Sequence, residues 1–404
     1  MGSIALGISQ FLGRPAVLER LQKAREAGKL GQPFLLVGPE GSGKENTALE
    51  FARLLNCSSP ETCSPVHRCE SCVKALGFQH PDIRWIGPAP ASLDDAGVRE
   101  LLEKKIANPF HQDPAAATAQ VRIGDPENPE PMTIRSLIHF LRRRAYQGAY
   151  KVAVIAEGQR LNTAAANAFL KTLEEPPPST VIFLLTTGTE GMLPTILSRC
   201  QKIRFEPWSE DELTGLLADI GEVDEKRARA AARTAEGNAR RGLALLGEEA
   251  GLMLDWASVL FEGLHRRDRA LAAISADELH RGLISYRCRP DGGGKKLVAD
   301  TNPLRRDRAI QLCELLNLHY SDAVLWRELG EARRPRLPAA ATLTAEIGNA
   351  RSTAGLLGDI QRVEDTRLEI DRNINIGLAM AVLFEGLIDH AERDKSIGSA
   401  RSAS

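Results

Sequence analysis

A glycine-rich loop with an unexpected last residue constrains this chain more than any other feature. Gly38-Pro39-Glu40-Gly41-Ser42-Gly43-Lys44 has the spacing of a phosphate-binding loop, but Glu45 follows where a Ser or Thr belongs. In a working loop the backbone N–H groups cradle phosphates, the lysine reaches the outer ones, and the hydroxyl ligates Mg²⁺. A carboxylate there sets negative charge beside a polyanion. Upstream, Pro33-Phe34-Leu35-Leu36-Val37 reads as a buried strand. Downstream, Ala48, Leu49, Ala52 and Leu55 recur at helical spacing. Strand, glycine loop and helix together predict an α/β phosphate-loop module whose nucleotide chemistry is impaired. The plain alternative is a strand-to-helix turn with no ligand, and the two correct flanks weigh against it.

The chain has 404 residues, enough for two or three domains. Its formal net charge of −1 gives no global pull towards nucleic acid or membrane, so any DNA contact is expected from a local patch or through partners. No apolar run reaches membrane-spanning length, Ile376 to Ile388 being short and broken by Glu385, and no membrane contact is expected. The N-terminus lacks a basic-then-apolar signal, which makes the cytoplasm the expected location.

Four of the seven cysteines crowd together as Cys57, Cys63, Cys69 and Cys72. In a cytosolic chain a compact set ending in Cys-x-x-Cys reads as a metal site, and four thiolates suit tetrahedral, structural zinc with no open catalytic position. A redox dithiol and unrelated buried cysteines are the rival readings. His67 could replace one thiol but reads as a surface residue. Cys288 and Cys313 carry no readable message.

Along the chain, Ile83 to Ile86 reads as a strand and Gly87 to Pro131 as a partly irregular insertion. Ile134, Leu137, Ile138 and Leu141 mark an amphipathic helix ending in Arg142-Arg143-Arg144, which reads as a solvated helix end before a DNA-binding patch. Val152–Ala156 and Val181–Thr187 read as strands, with a helix over Leu161–Glu175 between them. This alternation means a parallel sheet covered by helices on both faces. Beyond Pro207 the strand signal stops, and Ser209 to about Asp389 reads as helix, interrupted at Arg289–Pro303, with its Gly292–Gly294 run, and at Arg333–Pro338.

Two long motifs carry a family likeness. Asn167-Ala168-Phe169-Leu170-Lys171-Thr172-Leu173-Glu174-Glu175-Pro176-Pro177 is similar to a hallmark of bacterial clamp-loader subunits, and so is Leu193-Pro194-Thr195-Ile196-Leu197-Ser198-Arg199-Cys200. The cysteine cluster and His80-Pro81-Asp82 fit the same family. The chain resembles the delta-prime branch of the DNA polymerase III clamp loaders, AAA+ proteins, from about Ile8 to the C-terminal helices. The resemblance implies an AAA+ core over 1–207 with a zinc insertion at 57–72. A helical lid follows over 208–249, an all-α collar over 250–392, and a disordered tail over 393–404. It implies a ring with gamma/tau-like and delta-like subunits that loads a sliding clamp onto primed DNA.

The resemblance also assigns roles. Arg199 would serve as an arginine finger towards a neighbour's ATP, a role suited to a planar, permanently charged guanidinium; its plain alternative is a structural Arg paired with a nearby acid. Thr187 or Thr186 would be the first sensor, and Arg240, in Gly237-Asn238-Ala239-Arg240, the second. The segment Val154-Ile155-Ala156-Glu157 carries Ala156 where an Mg²⁺-binding Asp is expected. With Glu45, that makes two losses at one metal site, so hydrolysis is not expected and ATP binding through Gly38, Gly41, Ser42, Gly43 and Lys44 is doubtful. Glu157 and Lys44 remain, and a pairing of the two in an empty site is open to them. The competing readings are an active gamma/tau-like ATPase with Glu45 as metal ligand, and a stand-alone zinc-dependent nucleic-acid binder, which the near-zero charge disfavours.

Overall fold

The computed structural model describes residues 13–401, apart from 65–66, 114–115, 117–118, 128–129, 282, 286–295, 299–301, 331–334, 338–339 and 372–373. Ile8, Cys288 and the Gly292–Gly294 run lie outside the described residues, as does part of the Arg333–Pro338 stretch. The chain divides into two compact units, Met1–Leu243 and Ala244–Ser404.

In the first unit, helix α1 (Pro15–Glu26) precedes β1 (Phe34–Val37), the glycine loop and α2 (Lys44–Leu55). The cysteine segment contains α3 (Glu70–Leu76) and leads to β2 (Ile83–Ile86). Then come α4 (Asp95–Ala107), α5 (Ile134–Arg142), β3 (Lys151–Ile155), α6 (Thr163–Glu174), β4 (Thr180–Thr186), the short α7 (Pro194–Leu197) and β5 (Gln201–Arg204). The five strands form one parallel sheet in the order β2-β3-β4-β1-β5. Every residue of β3 and β4 is buried. Since side chains alternate between faces, both faces of the sheet are covered.

Local chemistry explains the helix starts. The Asn162 side chain accepts from Ala165 N at 2.8 Å to cap α6, and Thr133 caps α5. A Ser209–Glu212 capping box opens α8 (Glu210–Gly221), and Asp224 caps α9 (Glu225–Ala235). Helix α10 (Ala239–Leu246) follows. Within the partly irregular 87–131 stretch, α4 forms because Asp94 accepts from Gly97 N at 2.8 Å. Strand β5 escaped the sequence reading: Gln201-Lys202-Ile203-Arg204 has one core residue, Ile203, and is a strand because its backbone pairs with β1.

The second unit contains α11 (Glu248–Arg266), α12 (Arg269–His280), α13 (Asn302–Leu329), α14 (Ala341–Ala350), α15 (Thr353–Asp371) and α16 (Ile376–Arg401). Trp256, Phe261, Leu312, Leu316, Met380 and Phe384 lie in its core. Two expectations are corrected here. A short antiparallel pair, β6 (Leu283–Ser285) with β7 (Lys296–Val298), stands where no strand was expected. Its strands are three residues each, too short for a period to show. The stretch 393–404, read as disordered, is helical to Arg401, since polarity alone does not end a helix that meets no proline.

Candidate phosphate-loop and metal sites

The glycine loop has the backbone its sequence requires. Gly41 and Gly43 adopt φ of +66° and +85°, left-handed conformations that side chains disfavour. Gly41 has a second constraint: an added Cβ would lie 2.0 Å from Asn238 Oδ1. The start of α10 is hydrogen-bonded to the loop, Ala239 N and Trp208 Nε1 both donating to Gly41 O, at 3.2 and 2.9 Å. Arg14 backs this junction, stacking 3.9 Å over the Trp208 ring while its guanidinium reaches Glu212 at 3.1 Å. Gly38 N donates to Thr186 O at 3.1 Å, which joins the loop to the end of β4.

The cation of the loop is turned inward. Lys44 Nζ donates to Gly38 O and Pro39 O, both at 2.6 Å, and to Ser42 Oγ at 3.4 Å. Burial lowers its pKa to about 8, against the pull of Glu40, Glu45 and Glu157. Glu157 does not take up the pairing with Lys44. Its left-handed backbone (φ +50°, ψ +53°) instead sets it beside Arg160, 3.1 Å from Oε2 to Nε. Burial raises the Glu157 carboxyl, with Glu40 and Glu45 adding repulsion. Three carboxylates therefore gather where a polyanion would need cations.

Glu45 has a cation of its own. Its Oε1 lies 2.8 Å from Nζ of Lys105, which projects from α4, is 6% exposed, and also donates to His111 O at 3.0 Å. The same ammonium stands 4.6 Å from the Trp85 ring centroid. Arg240 pairs with Glu40 at 3.1 Å and with Gln112, so the 87–131 stretch meets the loop from two directions. Ala156 is buried and brings no oxygen. Lys105 and Gln112 were missed by the sequence reading. A buried lysine in a helix rich in surface pairs such as Glu100–Lys104 leaves no periodic trace.

Arg199 is held elsewhere. It donates to Thr195 O at 2.7 Å and pairs with Glu174, the first of two acids in the Asn167–Pro177 motif. Thr187 is exposed, while the buried Thr186 hydroxyl donates to Gly188 O.

The four cysteines do converge. The Sγ atoms of Cys57, Cys63, Cys69 and Cys72 all lie within 4.8 Å of one another, and Cys57 Sγ is 3.7 Å from Cys69 Sγ. Tetrahedral zinc with bonds of about 2.3 Å sets sulfurs roughly 3.8 Å apart, so this donor set fits the ion. Arg53 Nη1 donates to Cys72 Sγ at 3.0 Å, supplying positive charge to the cluster. Burial pushes the Cys57 and Cys72 thiols up. On Cys69 the same burial is outweighed by hydrogen bonds from Ser58 and Cys72, which hold it at about 5. His67 is exposed and outside the cluster.

A five-stranded parallel sheet with a glycine loop between its β1 and the following helix defines the class: a phosphate-loop α/β module. Residues 13–209 match the family described as DNA polymerase III, delta subunit. DNA polymerase III subunit gamma/tau of Mycobacterium tuberculosis (strain H37Rv) is 30% identical over 418 residues, covering 91% of this chain and 65% of that protein. Subunit delta' of Pseudomonas aeruginosa is 29% identical over 167 residues, 41% of this chain and 40% of that one. Subunit delta' of Bacillus subtilis is 25% identical over 194 residues, 48% of each. The chain thus spans 65% or less of the length of these relatives. It is similar to proteins named as gamma/tau and delta' subunits of DNA polymerase III. No helix among the described residues is long and apolar enough to cross a membrane.

Proposed function

We propose that this chain is a delta-prime-like, AAA+ subunit of a cytoplasmic DNA polymerase III clamp loader that does not hydrolyse ATP itself. It joins gamma/tau-like and delta-like subunits, acts with them on the sliding clamp and primed DNA, and offers Arg199 to a neighbour's nucleotide. Structural zinc on the four thiolates stiffens the module. The observation that carries the reading is the Glu45–Lys105 pair: the residue in the metal-ligand position is already neutralised by a buried ammonium. The missing oxygen at Ala156 and the inward-turned Lys44 support it.

A second reading, an active gamma/tau-like ATPase, has support in the gamma/tau name of the 30% identical relative and in the retained Lys44. Steady-state ATPase of the purified chain separates the two. Background turnover, unchanged by Lys44→Ala, is the expected result. Turnover abolished by that substitution defeats the non-hydrolysing reading.

A further inference from the structure

All four residues of β2 line a single pocket of about 340 Å³. Successive side chains of a strand point to opposite faces, so a pocket that touches four in a row wraps around the strand's edge. Among the described residues that edge is free: β2 ends the sheet and pairs only with β3. The carbonyls of Asp82 and Ile86 accept from Val152 N and Ala156 N, both at 2.8 Å. By alternation, the N–H and C=O of Trp85 face away from the sheet, towards the pocket side.

The groups left without partners there are mostly donors. Trp85 is 7% exposed, yet its indole Nε1–H has no acceptor among the described residues. The Arg84 guanidinium lies 5.1 Å from the Phe140 ring centroid, with Arg143 near enough to repel it. Arg143 bonds to His139 at 2.8 Å, and among the described residues no carboxylate pairs with either arginine. Phe78, Ile83, Leu102 and Phe140 supply apolar wall.

We propose that the free edge of β2 docks an extended, acidic peptide segment of a partner protein. The segment lies along the strand, bonds to the Trp85 backbone, sets a carboxylate on Arg84 and buries an apolar side chain against Phe78 and Leu102. Strand addition to an open edge supplies main-chain bonds, and alternate side chains supply specificity. Charge complementarity selects the acid, since a guanidinium with no carboxylate of its own takes one bidentately. A nucleic acid fits less well, because a phosphate backbone wants a row of cations where this pocket has apolar wall.

Fluorescence anisotropy on the full-length chain tests this with three labelled probes: the peptide Val-Asp-Phe-Asp-Val, its Asn-for-Asp counterpart, and oligothymidylate. The acidic peptide is expected to bind with a Kd below about 1 mM, at least roughly tenfold tighter than the Asn peptide. Arg84→Glu should remove that preference without changing the melting temperature, because Arg84 is exposed. Trp85→Phe, which keeps a ring but loses the indole N–H, should weaken binding, and N-methylating the central peptide bond should weaken it further. Four results overturn the proposal: no binding of the acidic peptide by about 1 mM, equal binding of the Asn peptide, full binding by Arg84→Glu, or oligothymidylate binding that Arg84→Glu abolishes.

Discussion

Nζ of Lys105 sits 2.8 Å from Oε1 of Glu45, joining a helix of the 87–131 stretch to the first turn after the glycine loop. Glu45 is 24% and Lys105 6% exposed, so the pair is largely shielded from water. Removing one partner of such a pair strands the other charge, at a cost of about 3 kcal/mol. Glu45→Thr should therefore destabilise the first unit by that order in denaturant melts. Glu45→Thr with Lys105→Met should recover most of it. A double-mutant cycle with no coupling would remove the pair from the account of the closed site.

Restoring nucleotide binding should need a substitution at Lys105 as well as the metal ligands. Glu45→Thr with Ala156→Asp leaves a buried ammonium where Mg²⁺ would have to enter, and should bind Mg-ATP poorly by calorimetry. Adding Lys105→Met should tighten binding by at least roughly tenfold. Tight, Mg²⁺-dependent binding by the unmodified chain would contradict this.

Purified protein should carry about one zinc per chain. Cys69→Ser or a strong chelator should lower the melting temperature, because the ion's binding free energy is part of the folding free energy. Elemental analysis of protein purified without added metal checks the content. Four freely reactive thiols with no metal would refute it.

Arg199→Ala should change stability by less than about 1 kcal/mol, since its pair with Glu174 is partly solvated. Its effect belongs in the assembled loader, where ATPase stimulated by clamp and primed DNA should fall and Arg199→Lys should rescue only in part. Full activity of an assembled Arg199→Ala loader would end the finger proposal.

Asp82 predicts an acid limb. The buried carboxylate accepts from Tyr146 N, Gln147 N and Gly148 N at 2.7–2.8 Å and pairs with Lys151 at 2.9 Å. Burial raises its pKa, but these bonds win and hold it at about 2, against 3.8 ordinarily. A depressed folded pKa gives stability that is present above the unfolded value and lost as pH falls towards the folded one. About 2 kcal/mol should vanish between about pH 4 and 2 in the parent. Asp82→Asn should lack that loss and be weaker at neutral pH. Parallel pH profiles of the two proteins would argue against it.

The sequence exposed this module where chemistry is local. Gly41 and Gly43 announce the loop because few other residues hold their backbone, and the spacing of Ile134, Leu137, Ile138 and Leu141 announces a helix. Cys69-x-x-Cys72 pointed to the cluster, although the longer gaps to Cys57 and Cys63 could only be closed in space. What stayed hidden depends on partners distant in sequence. Lys105 is one of three lysines or arginines between residues 99 and 105 that differ only in which way the helix turns them. The Glu157–Arg160 pair was hidden too, because nothing in Val154–Glu157 reveals the left-handed turn that forms it.

The bonds from Asp82 to the backbone at 146–148 have a consequence for variation. They tie the residue before β2 to the segment before β3 and so, with the pairing of the two strands, fix where the excursion from Ile86 to Lys151 begins and ends. With its ends fixed, the entropy of that excursion grows only with the logarithm of its length. Residues can be added in exposed turns between 87 and 131 for a small free-energy change, as long as Leu101 and Val121 stay in the core and Lys105 stays on Glu45. The register of β2 and β3 is thereby held independently of those turns, and new surface can be tried in them without refolding the protein.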